Sequence, residues 1–593
     1  MSRKKMRTIA AAGAAVLACT TTGVAAAAPT EAPTAAMPTA SAPATATPSA
    51  TPTASATPTA STPATAAASA TTTATAPGTA DSGKHVLLVS VDGLHQADLA
   101  WYVANNPKST MAALIGSGLQ YTSAHTTNPS DSFPGMVAQF TGATAGQSGV
   151  YYDDTFNHSL FPAGTTKCTG TAPGAEVAMT EAEDKNQKAL DAGQGLSGLP
   201  GNILAMTGKP QTLLNPAAEP VDPKTCKPIA PNQYLMVNSV FDIIHAAGKV
   251  TAWSDKHPAY SILDGKSGNA IDDLFAPEIN SDAPIAGDDW TQDNKLTQQY
   301  DSYKVQAVIN EIDGYDHSHT KQVGEPAIFG MNFQSVSTGQ KLPASDGVTG
   351  GYQADGVTPG PLLKGALDYV DTQLGKMVSE LKARGEDKNT TFILSAKHGQ
   401  SPTKPSDLTR IDDGPIISAL NAAWKAKNPN ASQNLVAFTT DDAMLLWLND
   451  RSQAAADFAK QWLLANKGTG NDINGNAKPY TASGLTAVHA GTDAAAYFGV
   501  SPSDPRHPDL VGVAQVGTVF TGGKSKIAEH GGANPADRDV PLVVTGPGTA
   551  KAVIGDNVNT TQIAPSILKL LDMDPQKLDA AKSNGVTVLP KLG

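Results

Sequence analysis

The run Val86-Leu87-Leu88-Val89-Ser90-Val91 limits the chain's possible folds most tightly. A stretch this short, continuously apolar and rich in β-branched residues predicts a strand buried on both faces, and such strands belong to parallel sheets covered by helices. Similar runs recur at Ala327 to Phe333, Thr391 to Ser395, Leu510 to Val516 and Val540 to Thr545. Between two of them Leu363, Leu367, Val370, Leu374, Met377, Val378 and Leu381 fall at helical spacing. Strands alternating with helices predict an α/β/α sandwich around a mostly parallel central sheet. Between Ser395 and Leu510 the chain carries its own strands, Leu435 to Thr439 and Met444 to Leu448, and a helix, Gln453 to Leu464. These read as a smaller inserted α+β subdomain over about 403–508.

The sandwich uses only part of the 593 residues. Basic residues Arg3, Lys4, Lys5 and Arg7 precede a small, apolar run ending in alanines near Ala26 to Ala28, so 1–28 reads as a secretory signal peptide. Val16-Leu17-Ala18-Cys19 also has the outline of a lipid-attachment site, which makes a tethered product the alternative to free secretion. Residues 29–83 are built almost wholly from Ala, Thr, Pro and Ser and cannot bury a core; they read as an extended, disordered stalk. The folded body is expected over 84–593, with insert loops at about 156–236. No later run has the roughly 20 apolar residues needed to cross a bilayer. A net charge of -12 with 16% charged residues argues against a nucleic-acid-binding surface. Cys168 and Cys226 are the only cysteines beyond Cys19, and in an oxidising compartment they are expected to pair.

In an open α/β sheet chemistry gathers beyond the carboxyl ends of the strands. The first strand ends in Asp92-Gly93, which puts a carboxylate at that rim. Asn128-Pro129-Ser130-Asp131-Ser132-Phe133-Pro134 is a breaker-rich loop leading into a helical stretch, where the Ser132 hydroxyl would sit beside an anion-favouring helix end. Lys397-His398-Gly399 and Glu529-His530-Gly531 each place an imidazole at a strand margin, suited to a divalent metal. Singly, each has an ordinary reading as a turn, a helix cap or a loop; together at one edge they make a site.

As a set in this order, Asp92, Ser132 before Phe-Pro, His398 and His530 resemble the type I phosphodiesterase/nucleotide pyrophosphatase family of the alkaline phosphatase superfamily, as a divergent member. The resemblance covers nearly the whole folded body and implies an alkaline-phosphatase-like fold. It also implies hydrolysis of phosphoric ester or phosphoanhydride bonds, with a small-molecule phosphate ester or nucleotide as substrate. The chain departs from the pattern in three places. The stretch matching the family's Pro-Asp-x-x-Gly-His is Ser335-Val336-Ser337-Thr338-Gly339-Gln340; Lys397 replaces the Asp of Asp-His-Gly; Gly135 replaces an Asn. The cofactor implied is a divalent metal, zinc first, in one or two ions. Its candidate ligands are Asp92, Ser132, His398 and His530, with Asp255 and His257 of Trp253-Ser254-Asp255-Lys256-His257-Pro258 as further candidates.

On this reading Ser132 attacks phosphorus and forms a covalent phosphoseryl intermediate, while Lys397 supplies positive charge where a metal ligand has been lost. The Met136 that ends Ser132-Phe133-Pro134-Gly135-Met136 departs from the Arg of a sulfatase signature and argues against sulfate esters. A phosphomonoesterase and a catalytically altered, envelope-associated binding protein on the same scaffold are the alternatives. Tyr151, Tyr152, Phe156, Trp253 and Tyr260 are candidates for stacking on a nucleotide base. His95, His125, His317, His319 and His507 match no motif and read as surface residues or supports behind the site.

Overall fold

The first strand, His85–Val91, is buried at every residue, and its side chains feed two separate cores by simple alternation. Val86 and Leu88 join one apolar cluster with Phe133, Phe140, Phe241 and Ile567. Leu87, Val89 and Val91 join another with Val305, Leu367, Leu374 and Met377. A strand whose two faces both need covering lies at the centre of a sheet between two helical layers. A computed structural model describes residues 83–284 and 288–592. The signal peptide, Cys19 and nearly all of the stalk read from the sequence lie outside the described residues.

The central sheet has eight strands in the order Ala552–Asn559, Leu119–His125, Leu542–Thr545, Thr390–Ser395, His85–Val91, Ile328–Phe333, Ala252–Ser254 and Asp273–Phe275. Leu542–Thr545 runs antiparallel to both neighbours. The other pairings are parallel. Helix Ser132–Thr141 covers the first face, and helices Asn294–Ile312 and Pro361–Arg384 cover the second. The last of these begins on Pro361 and ends at Gly385 in the left-handed conformation. Pro is preorganised for a helix start and Gly tolerates positive φ, so both ends are set locally.

One expected strand belongs elsewhere. Leu510–Ala514 lies outside the central sheet, in a four-stranded antiparallel sheet with Leu435–Thr440, Ala443–Leu448 and Leu485–Ala490. Its apolar run is still accounted for by burial on both faces, because Leu510 and Val511 enter two different clusters. Continuous hydrophobicity reports double burial and says nothing about which sheet provides it. Helices Asp413–Lys427 and Gln453–Ala465 pack on this second sheet. Cys168 and Cys226 are joined in a disulfide.

Candidate active site

Three neighbouring strands deliver their following residues to one place: Asp92 after His85–Val91, Gln334 after Ile328–Phe333, and Lys397 with His398 after Thr390–Ser395. Ser132 arrives from the other side as the first residue of helix Ser132–Thr141, capped by Asp131, whose carboxylate accepts from the Phe133 amide at 3.1 Å. Gly93 has φ of +79°, and a Cβ there would collide with the Gln340 side chain. The turn after Asp92 therefore requires glycine. Gly135 is needed for contact: a Cβ would run into the carbonyl oxygen of Lys397, so the missing side chain lets the helix sit directly on the Lys397 backbone.

The His398 Nε2 atom lies 3.1 Å from Ser132 Oγ and 3.0 Å from Asp92 Oδ1. His398 Nδ1 lies 2.9 Å from the Gly399 carbonyl oxygen, which can only accept, so Nδ1 carries the proton and Nε2 presents a lone pair to the pocket. Asp92 Oδ2 receives Gln334 Nε2 at 2.7 Å and faces Lys397 Nζ at 3.2 Å and Lys256 Nζ at 3.6 Å. Lys256 Nζ also donates to Ser132 Oγ at 3.1 Å. Two ammonium groups thus converge on the hydroxyl and carboxylate of the site.

Burial pushes the Asp92 carboxyl upward, but Lys397, His398 and Lys256 outweigh it and hold the group well below the usual range. Burial lowers Lys397 to about 8 against the opposing pull of Asp92. Burial also lowers His398, and it lowers His530 strongly, with Lys341 adding to the effect. Both imidazoles are therefore neutral ligands or acceptors at neutral pH. The His530 ring stacks at a tilt on His398 with centroids 4.1 Å apart, and His530 Nδ1 lies 3.3 Å from Asp131 Oδ1.

The family implies a divalent metal, and the two positions it would occupy differ in what they offer. At the first, Asp92 Oδ1, His398 Nε2 and Ser132 Oγ face one another, and Asp92 Oδ1 is buried without a hydrogen-bond donor. Three hard-to-borderline donors around an orphaned carboxylate oxygen fit one small dication with an open coordination position. The second retains His530 alone. Val336 is buried in the core, and Gln340 spends its amide on the Gly93 carbonyl at 2.8 Å and the Tyr352 hydroxyl at 3.0 Å. Lys341 lies beside it, paired with Glu529 at 2.8 Å. That donor set does not fit a second ion.

Asp255 accepts from Trp253 Nε1 at 2.9 Å and from the Lys256 amide at 2.9 Å, and His257 Nδ1 is held by Glu278 at 2.7 Å. Among the described residues, neither joins a group of three carboxylate or imidazole ligands at this pocket. The residue between them, Lys256, reaches Ser132 instead; sequence reading passed over it because a lysine flanked by Asp, His and Pro looks like a solvated turn. Gln334 was missed because an uncharged residue after a strand has no signature. Tyr151, Tyr152, Phe156, Trp253 and Tyr260 are all buried, so they serve packing in place of base stacking. Tyr260 stacks on Phe133 with centroids 4.3 Å apart and receives Lys397 Nζ at 3.1 Å. His95, His317 and His507 are buried too; His95 bridges Asp98 and Gln400, and His317 is bound to Asp273.

The family model of type I phosphodiesterase / nucleotide pyrophosphatase matches residues 86–537. The chain belongs to that family, and it is a hydrolase acting on phosphoric ester or phosphoanhydride bonds. Its fold is similar to a four-site mutant of alkaline phosphatase PafA at TM-score 0.53 and 14% identity, over 83% of this chain and 96% of that one. Murine ectonucleotide pyrophosphatase/phosphodiesterase 5 aligns at TM-score 0.48 and 13% identity, over 83% and 96% of the two chains. Phosphonoacetate hydrolase from Sinorhizobium meliloti 1021 aligns at 0.47 and 14%, over 82% and 95%. No curated protein matches the chain. No helix among the described residues is long and apolar enough to cross a membrane.

Proposed function

We propose that the chain is an exported phosphate-ester hydrolase in which Ser132 is the nucleophile and a phosphoseryl enzyme is the intermediate. The observation that carries this reading is the position of Ser132 Oγ, 3.1 Å from both His398 Nε2 and Lys256 Nζ, at the first residue of a helix. Asp92, His398 and Ser132 would hold one divalent ion, which lowers the pKa of a hydroxyl bound to it and polarises a phosphoryl oxygen.

The chain's own groups do the remaining work. Lys256 donates to Ser132 Oγ, fixes its rotamer and stabilises the alkoxide as it forms. Ser132 Oγ gives its proton to solvent water and bonds to phosphorus while the bond to the leaving oxygen breaks in line with it; that oxygen leaves with the electron pair and takes a proton back from water. Lys256 and Lys397 face the negative charge that spreads over the equatorial oxygens, and the amino end of helix Ser132–Thr141 adds its partial positive charge. Asp92 holds both ammonium groups in place before substrate arrives, so little reorganisation remains at the moment of reaction. Water attack on the phosphoserine returns the free hydroxyl and releases phosphate or the phosphomonoester.

Export rests on the basic-then-apolar start of the sequence and on the Cys168–Cys226 bond, which persists in an oxidising compartment. A second reading, a binding protein on a hydrolase scaffold, is favoured by Val336 and Gln340 standing where two metal ligands are expected. The deciding experiment is turnover of nitrophenyl phosphomonoester and phosphodiester by the purified protein, with trapping of the phosphoenzyme by acid quench and mass spectrometry on the Ser132 peptide. Release of nitrophenol with a phosphate on Ser132 supports the hydrolase; binding without turnover supports the scaffold; unchanged turnover in S132A removes Ser132 as nucleophile.

A further inference from the structure

The three strands that end in the active site begin around a second cluster of ligand-type side chains. His85 opens its strand, Glu325 lies just ahead of Ile328–Phe333, and Glu386 lies just ahead of Thr390–Ser395 in the short turn Glu386–Lys388. One ligand atom from each of the three lies within 4.8 Å of the others, and among the described residues this is the one such group of three. We propose that His85, Glu325 and Glu386 form a structural divalent-cation site that staples the amino ends of the three central strands.

The local geometry prepares these atoms for an ion. His85 Nδ1 lies 2.9 Å from the Pro326 carbonyl, so Nδ1 is the protonated nitrogen and Nε2 carries the lone pair. The imidazole and the Glu325 carboxylate are 3% and 8% exposed and stand 3.9 Å apart from Nε2 to Oε2, and neither atom has a hydrogen-bond partner. Two buried acceptors facing each other need either a proton or a cation between them, and a dication meets that need for all three groups at once. The other oxygens are already positioned: Thr390 Oγ1 donates to Glu325 Oε1 at 3.3 Å, and Asn389 Nδ2 donates to Glu386 Oε2 at 3.4 Å. The His85 amide donates to the Asn389 carbonyl at 3.0 Å, which ties the imidazole strand to the Glu386 turn. Orientation of the ligands by such outer contacts is characteristic of real metal sites.

One imidazole nitrogen and two carboxylate oxygens suit a borderline first-row dication such as Zn2+ or Mn2+ better than Ca2+, which prefers oxygen alone. The strand between His85 and Asp92 has 7 residues, which puts this cluster roughly 20 Å from the active site. An ion here binds the folded chain and stabilises it by mass action without entering the chemistry.

The test compares metal-stripped wild type, D92N and E325Q/E386Q, titrated with Zn2+ and followed by bound-metal stoichiometry, thermal unfolding and nitrophenyl-ester turnover. D92N is expected to retain one bound ion and a Zn2+-dependent rise in Tm of about 3 °C or more. E325Q/E386Q, whose amides keep the volume, is expected to lose one ion and that rise while its metal-replete turnover stays within about twofold of wild type. Co2+ loaded into D92N should give visible ligand-field absorption that His85→Gln removes, a readout that does not depend on stability. Equal stoichiometry and equal Tm shift in wild type and E325Q/E386Q, or no ion bound by D92N, overturns the proposal; the latter result leaves a proton shared among the three groups as the explanation. Since D92N disables the active-site pocket alone, failure of the proposed chemistry and failure of this site give different results.

Discussion

The ammonium nitrogen of Lys397 stands 3.2 Å from Asp92 Oδ2, fully buried, at the position where the family pattern has a metal-binding aspartate. A buried lysine paired to a carboxylate is a fixed cation with a fixed counter-ion, and it changes what the pocket needs from a metal. Lys256 repeats the arrangement from a different loop, so the carboxylate is shared by two ammonium groups. Part of the positive charge that an ion beside Asp92 and Ser132 would bring is thereby supplied by the chain itself.

In the proposed chemistry, removing the Ser132 hydroxyl removes the group that bonds to phosphorus. S132A is expected to lose on the order of 10^3-fold or more in kcat while still binding phosphate esters. Steady-state turnover and equilibrium binding of a nonhydrolysable phosphonate separate the two effects.

Replacing Lys397 by Met deletes a preorganised cation and leaves Asp92 underneutralised. A loss of about 10^2 to 10^3 in kcat is expected, read from kcat and KM separately, since the contribution lies in the transition state. Lys397→Asp instead adds a carboxylate beside Asp92 and His398, and should raise Zn2+ affinity roughly tenfold or more in a competition titration with a chelating dye. Unchanged affinity would show that the first position is not a metal site.

Gly135 allows helix Ser132–Thr141 to rest on the Lys397 backbone. G135A forces the two apart and is expected to cost about 1–3 kcal/mol in urea unfolding. Because the same displacement separates Ser132 from His398 and Lys256, kcat should fall as well, whereas G365A, at an exposed helix-interior glycine with open space around it, should leave kcat unchanged and raise stability by about 0.5–1 kcal/mol.

Glu183 and Glu219 are buried against each other in the insert loops, and burial pushes Glu219 up to about 7 and Glu183 well above the carboxylate range. The folded pair holds protons that the unfolded chain releases near 4.5, so the native state binds more protons between about pH 4.5 and 7. Stability from this pair is therefore greatest at the acid end and falls as pH rises through that window. E219Q should flatten the dependence and raise Tm at pH 8 by about 2 °C or more relative to wild type. A wild-type Tm that climbs from pH 5 to 7 with E219Q in parallel would contradict it.

Much of the central sheet was legible because double burial leaves a direct trace in sequence: Val86 to Val91 and Thr391 to Ser395 read as buried strands and are. The short strand Ala252–Ser254 and the mixed-polarity strand Leu119–His125 leave no such trace, since three residues carry no period and partial exposure blurs alternation. The Leu510–Ala514 run points to the central sheet and lies in the other one, for the reason that makes such runs easy to see: its apolar residues report double burial and not which sheet provides it. In the site, Asp92, Ser132, His398 and His530 each carry a local motif, while Lys256 and Gln334 gain their meaning only from what lies across the pocket.

The amino-acid sequence by itself determined that strands buried on both faces would build an α/β sandwich and that four polar motifs would gather beyond the strands' carboxyl ends, and its resemblance to the family marks three metal ligands as replaced, at Val336, Gln340 and Lys397. Each of these is read from residue chemistry, periodicity or a short motif, which are properties of the chain taken a few positions at a time. Only the tertiary structure decided that Lys256 reaches Ser132, that Asp92 is shared by two ammonium groups, and that His85 faces Glu325 and Glu386 at the other end of the same strands. Those are distances between residues far apart in the chain, and charge and coordination depend on distance, which no local pattern encodes.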